Sequence, residues 1–198
     1  MLIVIGKQAK ILKKKDLSRM LSYVEDNTYP ERDKVMVLLS LKAGLRAKEI
    51  ASLTWEMVTD ASGDIGNEIH LPYQASKGKS GRIIPLHKEL KEALGILRRV
   101  HPRPQGFKAN IIFSKQGTRM HPCNVSHWFR KVFKALGLQG CSSHSGRRTF
   151  ITQAARKVSE VGGSLRDVQV LAGHTSLALT QRYVDAHTEA HRRLIDLL

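Results

Sequence analysis

The sequence has no stretch of eighteen or more apolar residues and no long amphipathic basic helix, so it offers neither a membrane span nor a monotopic anchor. Cysteine is nearly missing. Cys123 and Cys141 are too few to staple a fold of this size, and both are read as reduced thiols. Met1 to Ile5 is apolar but too short for a signal core and precedes the lysines instead of following them, so no export signal is evident and a cytoplasmic, nucleoid-associated protein is expected. A Walker A loop and an H-E-x-x-H pair are also absent, and without internal repeats, heptads or low-complexity linkers nothing marks a second domain. His121, Cys123, His127, Cys141 and His144 fit no familiar zinc spacing, and Asp60, Asp64 and Glu68 sit among turn glycines as hairpin decoration, not as a magnesium site.

Acidic residues are in short supply. Against 17 Asp and Glu stand 33 Lys and Arg, a net charge of +16 and a pI near 10.2. A basic face that neutralises phosphates releases counterions, so this balance points to nucleic acid as the partner. With 41% hydrophobic residues over 198 positions, the chain is expected to fold around one core.

Five lysines between Lys7 and Lys15 read as a basic N-terminal arm over residues 1–15, outside the core, either a solubilising tail or a phosphate-contacting strap. Asp16 is expected to cap a helix running through Leu17, Met20, Leu21 and Val24. The pattern Val35, Met36, Leu38, Leu39, Leu41 predicts a buried helix over Arg32 to Lys42, ended by Gly44, with a short helix over Ala47 to Leu53 after it. Gly63, Gly66, Gly78 and Gly81 punctuate short strands at Glu68 to Leu71 and Arg82 to Leu86, a small antiparallel sheet. Helices are then predicted over Lys88 to Val100, Asn124 to Leu136, Ser145 to Lys157, Leu165 to Leu171 and Leu177 to Asp185, with a last segment through Leu198. The fold class is therefore mainly α with a small antiparallel β-sheet. Trp128 and Phe129, at helical spacing with Val132 and Phe133, are read as core, not as a base-stacking platform.

Three segments carry chemistry. Gly44-Leu45-Arg46 sets an arginine at a helix start, suited to a bidentate grip on phosphate; by itself the segment also fits a simple ion pair with Glu49. His144 and Arg147 stand three apart, on one helical face, where one group handles a proton and the other neutralises charge. Gly173-His174 closes a helix, and Ser176 is expected to cap the next one, carrying Tyr183 two turns on.

Taken together, G-L-R, then H-x-x-R, then G-H with Tyr183 nine residues after the histidine, the set resembles the tyrosine recombinase (phage integrase) family from about Asp16 to the C-terminus. The resemblance implies that residues 16–198 form the family's catalytic domain, with its N-terminal core-binding domain absent. It implies Arg46 and Arg147 as phosphate clamps, His144 and His174 as flanking imidazoles, and Tyr183 as nucleophile. The family's hairpin lysine matches Lys77 in Ser76-Lys77-Gly78-Lys79, with Lys79 in reserve. Glu49 resembles the acidic residue that supports the first arginine, and Lys79, Arg82 and Arg148 are expected to contact DNA. Gly146 and Arg148 depart from the leucine and histidine that many members carry there. Neither departure removes a reacting group.

The implied reaction is attack by Tyr183 on a backbone phosphate, leaving a 3′-phosphotyrosine and a free 5′-hydroxyl. A phenol titrates at about 10, so it needs a base or nearby cations to act. Two guanidiniums and an imidazole stabilise the charge on the non-bridging oxygens. Lys77 is the candidate acid for the 5′-oxygen, and His144 the acid/base on the tyrosine side. No metal, ATP or other cofactor is expected. The implied partner is double-stranded DNA, bound as a tetramer, with a monomer expected in solution and Leu194, Ile195, Leu197 and Leu198 available to dock on a neighbour or on the chain's own core. Two related readings stay open: a DNA-binding regulatory relic without turnover, whose signature would be a missing catalytic group, and a type IB topoisomerase-like relaxing enzyme, a class that usually carries further domains.

Overall fold

The computed structural model describes residues 9–72, 81–101, 106–183 and 195–196. Its contacts divide the chain into two compact units, residues 1–150 and 151–198, where composition had predicted one core. The division falls inside a helix.

The first unit is built on α2 (Pro30–Lys42), packed against α1 (Lys14–Glu25), α3 (Ala47–Ser52) and α4 (Lys88–Val100). Nine of its thirteen residues are buried, and from Val35 to Leu41 only Ser40 is polar, as suits a helix segment in an interior. Its first turn brings charge inside: Arg32 donates to Asp33 at 2.7 and 2.9 Å and to the Phe113 carbonyl at 3.0 Å, with its guanidinium 4.6 Å over the Tyr29 ring. Trp128 donates its indole N–H to Asp33 at 3.2 Å, and Phe129 is 1% exposed, so both serve the interior as the helical spacing predicts. Strands β1 (Glu68–Leu71) and β2 (Arg82–Pro85) pair antiparallel in the register Ile69 to Ile84 and Leu71 to Arg82. Asp60 accepts from the N–H groups of Ser62 and Asp64, which makes it a turn former. Helix α5 (Pro122–Ala135) packs on α3. It starts two residues before the predicted Asn124, because His121 caps it by accepting from Cys123 N–H at 3.3 Å and proline suits its first turn.

The basic arm differs from expectation. Lys10 N–H donates to the Gly140 carbonyl, Leu12 N–H to Thr149 Oγ1 at 2.8 Å, and Leu12 is 2% exposed. Residues 9–13 are therefore held in the unit by one buried leucine and paired backbone; residues 1–8 lie outside the described chain. Nor is Asp16 the cap of α1. The helix begins at Lys14, and Asp16 sits in its first turn, accepting from Lys13 N–H at 2.9 Å, as the acidic member of a capping box does.

Helix α6 (Ser145–Lys157) runs through the division. Its start lies so close to α2 that a Cβ on Gly146 would stand 2.1 Å from Ser40 Oγ and 2.9 Å from Ser40 Cβ. Only glycine fits there, which accounts for the departure from leucine. Gly146→Ala is expected to lower unfolding free energy by about 1–3 kcal/mol in urea titration, as overpacking does, with part of the loss recovered when Ser40→Ala removes the nearer atom.

The second unit holds α7 (Leu165–Ala172), packed on α8 (Leu177–Gln181). Gly173 ends α7 at φ +61°, as predicted. Ser176 takes the position before α8, but its side chain makes no capping bond, and Tyr183 stands in a turn just past α8 instead of within it. Ile195 is exposed; Leu194, Leu197 and Leu198 lie outside the described residues. No described helix is long and apolar enough to cross a membrane.

Candidate active site

Gly44 turns the chain from α2 into α3 at φ +64°, and a Cβ there would meet the Phe150 ring at 2.4 Å. This tight corner sets Arg46 immediately before α3, in extended backbone. Arg46 donates its N–H to Glu49 Oε2 at 2.8 Å and its Nη1 to Oε1 at 2.9 Å. The ion pair that the segment allowed is thus present, and it does not consume the guanidinium, which remains half-buried with further donors. Glu49 is 1% exposed. Burial pushes its carboxyl up, but hydrogen bonding and charge from Arg82, and then from Arg46, hold it below the usual carboxylate range.

The second arginine approaches the same corner from α6. Arg147 is 4% exposed and donates Nη1 to the Gly44 carbonyl at 2.8 Å, two residues from Arg46. His144, exposed, precedes the helix by one residue. Arg46 and His144 line one groove of about 420 Å³ between α3 and α5, whose wall also includes Lys48, Cys123, His127 and Arg130. The last three recur along one face of α5 at positions 123, 127 and 130, a signal present in the sequence as i, i+4, i+7 spacing but not read as site-forming. Among the described residues no group of three or more His, Cys, Asp or Glu is placed to hold a metal.

In the second unit, Gln169 Nε2 donates to the His174 carbonyl at 3.0 Å, and His174 Nδ1 pairs with the buried Thr180 hydroxyl at 2.9 Å. The His174 ring then stacks on Tyr183, centroids 5.4 Å apart at 28°. The imidazole and phenol that the motif pairs nine residues apart are thus neighbours in space.

Two expected DNA contacts are placed otherwise. Arg82 points inward, 2% exposed at the side chain, with both terminal nitrogens on Glu49 at 3.0 Å. Arg148, half-buried, donates to the Ala9 carbonyl at 3.0 Å and ties down the N-terminal segment. Lys77 and Lys79 lie outside the described residues.

A model of the phage integrase family matches residues 10–190, and the chain, mainly helical with a small two-stranded sheet, belongs to that family. Among curated proteins it is 30% identical over 173 residues to a tyrosine recombinase XerC of Yersinia pestis, which covers 85% of this chain and 52% of that protein. A XerC of Actinobacillus succinogenes is 30% identical over 203 residues, 94% of this chain and 64% of the relative. The chain spans about half to two thirds of the length of these curated relatives. Among solved structures, the XerA recombinase superposes with TM-score 0.75 at 23% identity, covering 94% of this chain and 64% of that one. The site-specific recombinase XerH bound to difH substrate gives 0.69 at 19%, covering 98% and 55%. These likenesses establish the fold.

Proposed function

We propose that this chain is the catalytic part of a site-specific recombinase that cuts and rejoins double-stranded DNA through a 3′-phosphotyrosine. Tyr183 attacks phosphorus. Arg46 and Arg147 hold the non-bridging oxygens, His144 and His174 exchange and donate protons beside them, and Lys77 protonates the leaving 5′-oxygen. The observation that carries the reading is the Arg147 bond to the Gly44 carbonyl, which sets a second guanidinium at the corner that presents Arg46. Preorganised cations need no reorganisation as charge develops, and they act without a metal or ATP. The stacking of His174 on Tyr183 supports the same roles. The functional assembly is a tetramer on two DNA sites, working in the cytoplasm at the nucleoid, with residues 16–198 as its catalytic domain.

Selection of bound sequences from a random duplex pool, followed by placing a nick in the selected site, tests the proposal. Wild-type protein is expected to form a protease-sensitive adduct on the strand in the presence of a chelator. Absence of any adduct on selected sites would sink the reading. The charge of +16 also predicts steep salt dependence. DNA affinity should fall on the order of 10³-fold between about 50 and about 200 mM salt, measured by anisotropy; binding indifferent to salt would show that phosphates are not the main contacts.

A further inference from the structure

Arg82 opens β2, where the chain returns from the segment that carries Lys77 in sequence, and its side chain lies inside the fold on the same face of the strand as Ile84. Its guanidinium meets Glu49 edge to edge, Nη1 to Oε1 and Nη2 to Oε2, each at 3.0 Å. Arg46 takes the other two positions of that carboxylate with its backbone N–H and its Nη1. A carboxylate offers about four lone-pair sites, and four donors fill them here. Glu49 therefore cannot turn without breaking a bond to one arginine or the other, and the orientation of Arg46 is set by where Arg82 holds the carboxylate. Among the described residues Arg82 Nε has no hydrogen-bond partner, so its two terminal nitrogens on Glu49 are the bonds by which the side chain is held.

We infer that Arg82 is a positioning residue for strand cleavage: through Glu49 it aims the Arg46 guanidinium at the phosphate, and it fixes the end of β2 to the corner that bears Arg46. The inference rests on the recombinase reading for its reaction, but its geometry stands apart from it. Arg82→Lys keeps the charge and loses the fork; Arg82→Met keeps length and loses both. In single-turnover cleavage of a nicked duplex, Arg82→Met should lose roughly 100-fold in rate and Arg82→Lys roughly tenfold, with DNA affinity within about threefold of wild type, because misaiming a reacting group costs on this scale while phosphate contacts elsewhere persist. An unchanged rate in either variant, or affinity falling in step with rate, overturns the inference. Where Arg82→Met does not fold, Arg82→Lys decides. Guanidinium NMR supplies a readout without catalysis. Arg46 pinned by Glu49 should show slowed rotation as resolved Nη signals, and these should collapse in Arg82→Lys. Collapse in a protein whose wild type forms no adduct upholds the positioning and rejects the recombinase reading; Arg46 signals unmoved by Arg82→Lys reject the positioning even where cleavage is seen.

Discussion

Tyr183→Phe is expected to bind selected DNA sites as tightly as wild type while leaving no protein-linked strand on a nicked duplex. The change deletes one hydroxyl and keeps the ring that stacks on His174, so the local packing of the turn after α8 survives. The Thr180 hydroxyl that holds His174 is untouched, as is the turn bond from Tyr183 N–H to the Thr180 carbonyl at 2.9 Å. On the proposed mechanism what disappears is the nucleophile, the phenol that bonds to phosphorus. Affinity from gel shift and adduct yield from denaturing gels separate the two effects. An adduct that persists in Tyr183→Phe assigns the attack to another residue; a large fall in affinity makes Tyr183 a structural group.

The second large effect is expected at Glu49. Its carboxylate is 1% exposed between Arg46 and Arg82, and removing it by Glu49→Ala leaves the buried Arg82 guanidinium without its partner. Breaking a buried pair from one side costs about 3–5 kcal/mol, a large share of the 5–15 kcal/mol that holds an ordinary domain together. Urea denaturation should show the midpoint falling by that equivalent. The pH dependence has a definite sign. Glu49 stays ionised in the folded protein to lower pH than in the unfolded chain, so its contribution is whole above the ordinary carboxylate value of about 4.5 and fades as pH falls from there through the depressed folded value. Glu49→Gln should remove that portion of the acid limb. A stability curve below pH 5 that is identical in wild type and Glu49→Gln would show that the carboxylate is not held by the two arginines.

Much of the architecture follows from local pattern. The spans Lys88–Val100 and Ser145–Lys157 and the strands at Glu68 and Arg82 agree with expectation because 3.6-residue and two-residue periodicity and glycine punctuation act within one element. The ends moved where a cap was unfamiliar, as with His121 before α5 and Asp16 inside α1. Arg82 shows a signal that was available and unread: alternation with buried Ile84 sets it on the inner face of β2, whereas its charge and its place beside a basic segment had suggested DNA.

By itself the sequence determined the element types and the basic charge and supplied the reacting groups that the proposed mechanism uses, because chemistry resides in residue types and their spacing along the chain. Tertiary structure alone decided which partners the inward-facing charges meet. Arg82 and Glu49 are 33 residues apart, Gly44 and Arg147 103, and Leu12 and Thr149 137, and no local preference reports on pairs so distant. Closing such pairs depends on how α2, α3 and α6 pack, and on the fact that a buried polar group must find a partner wherever the chain brings one.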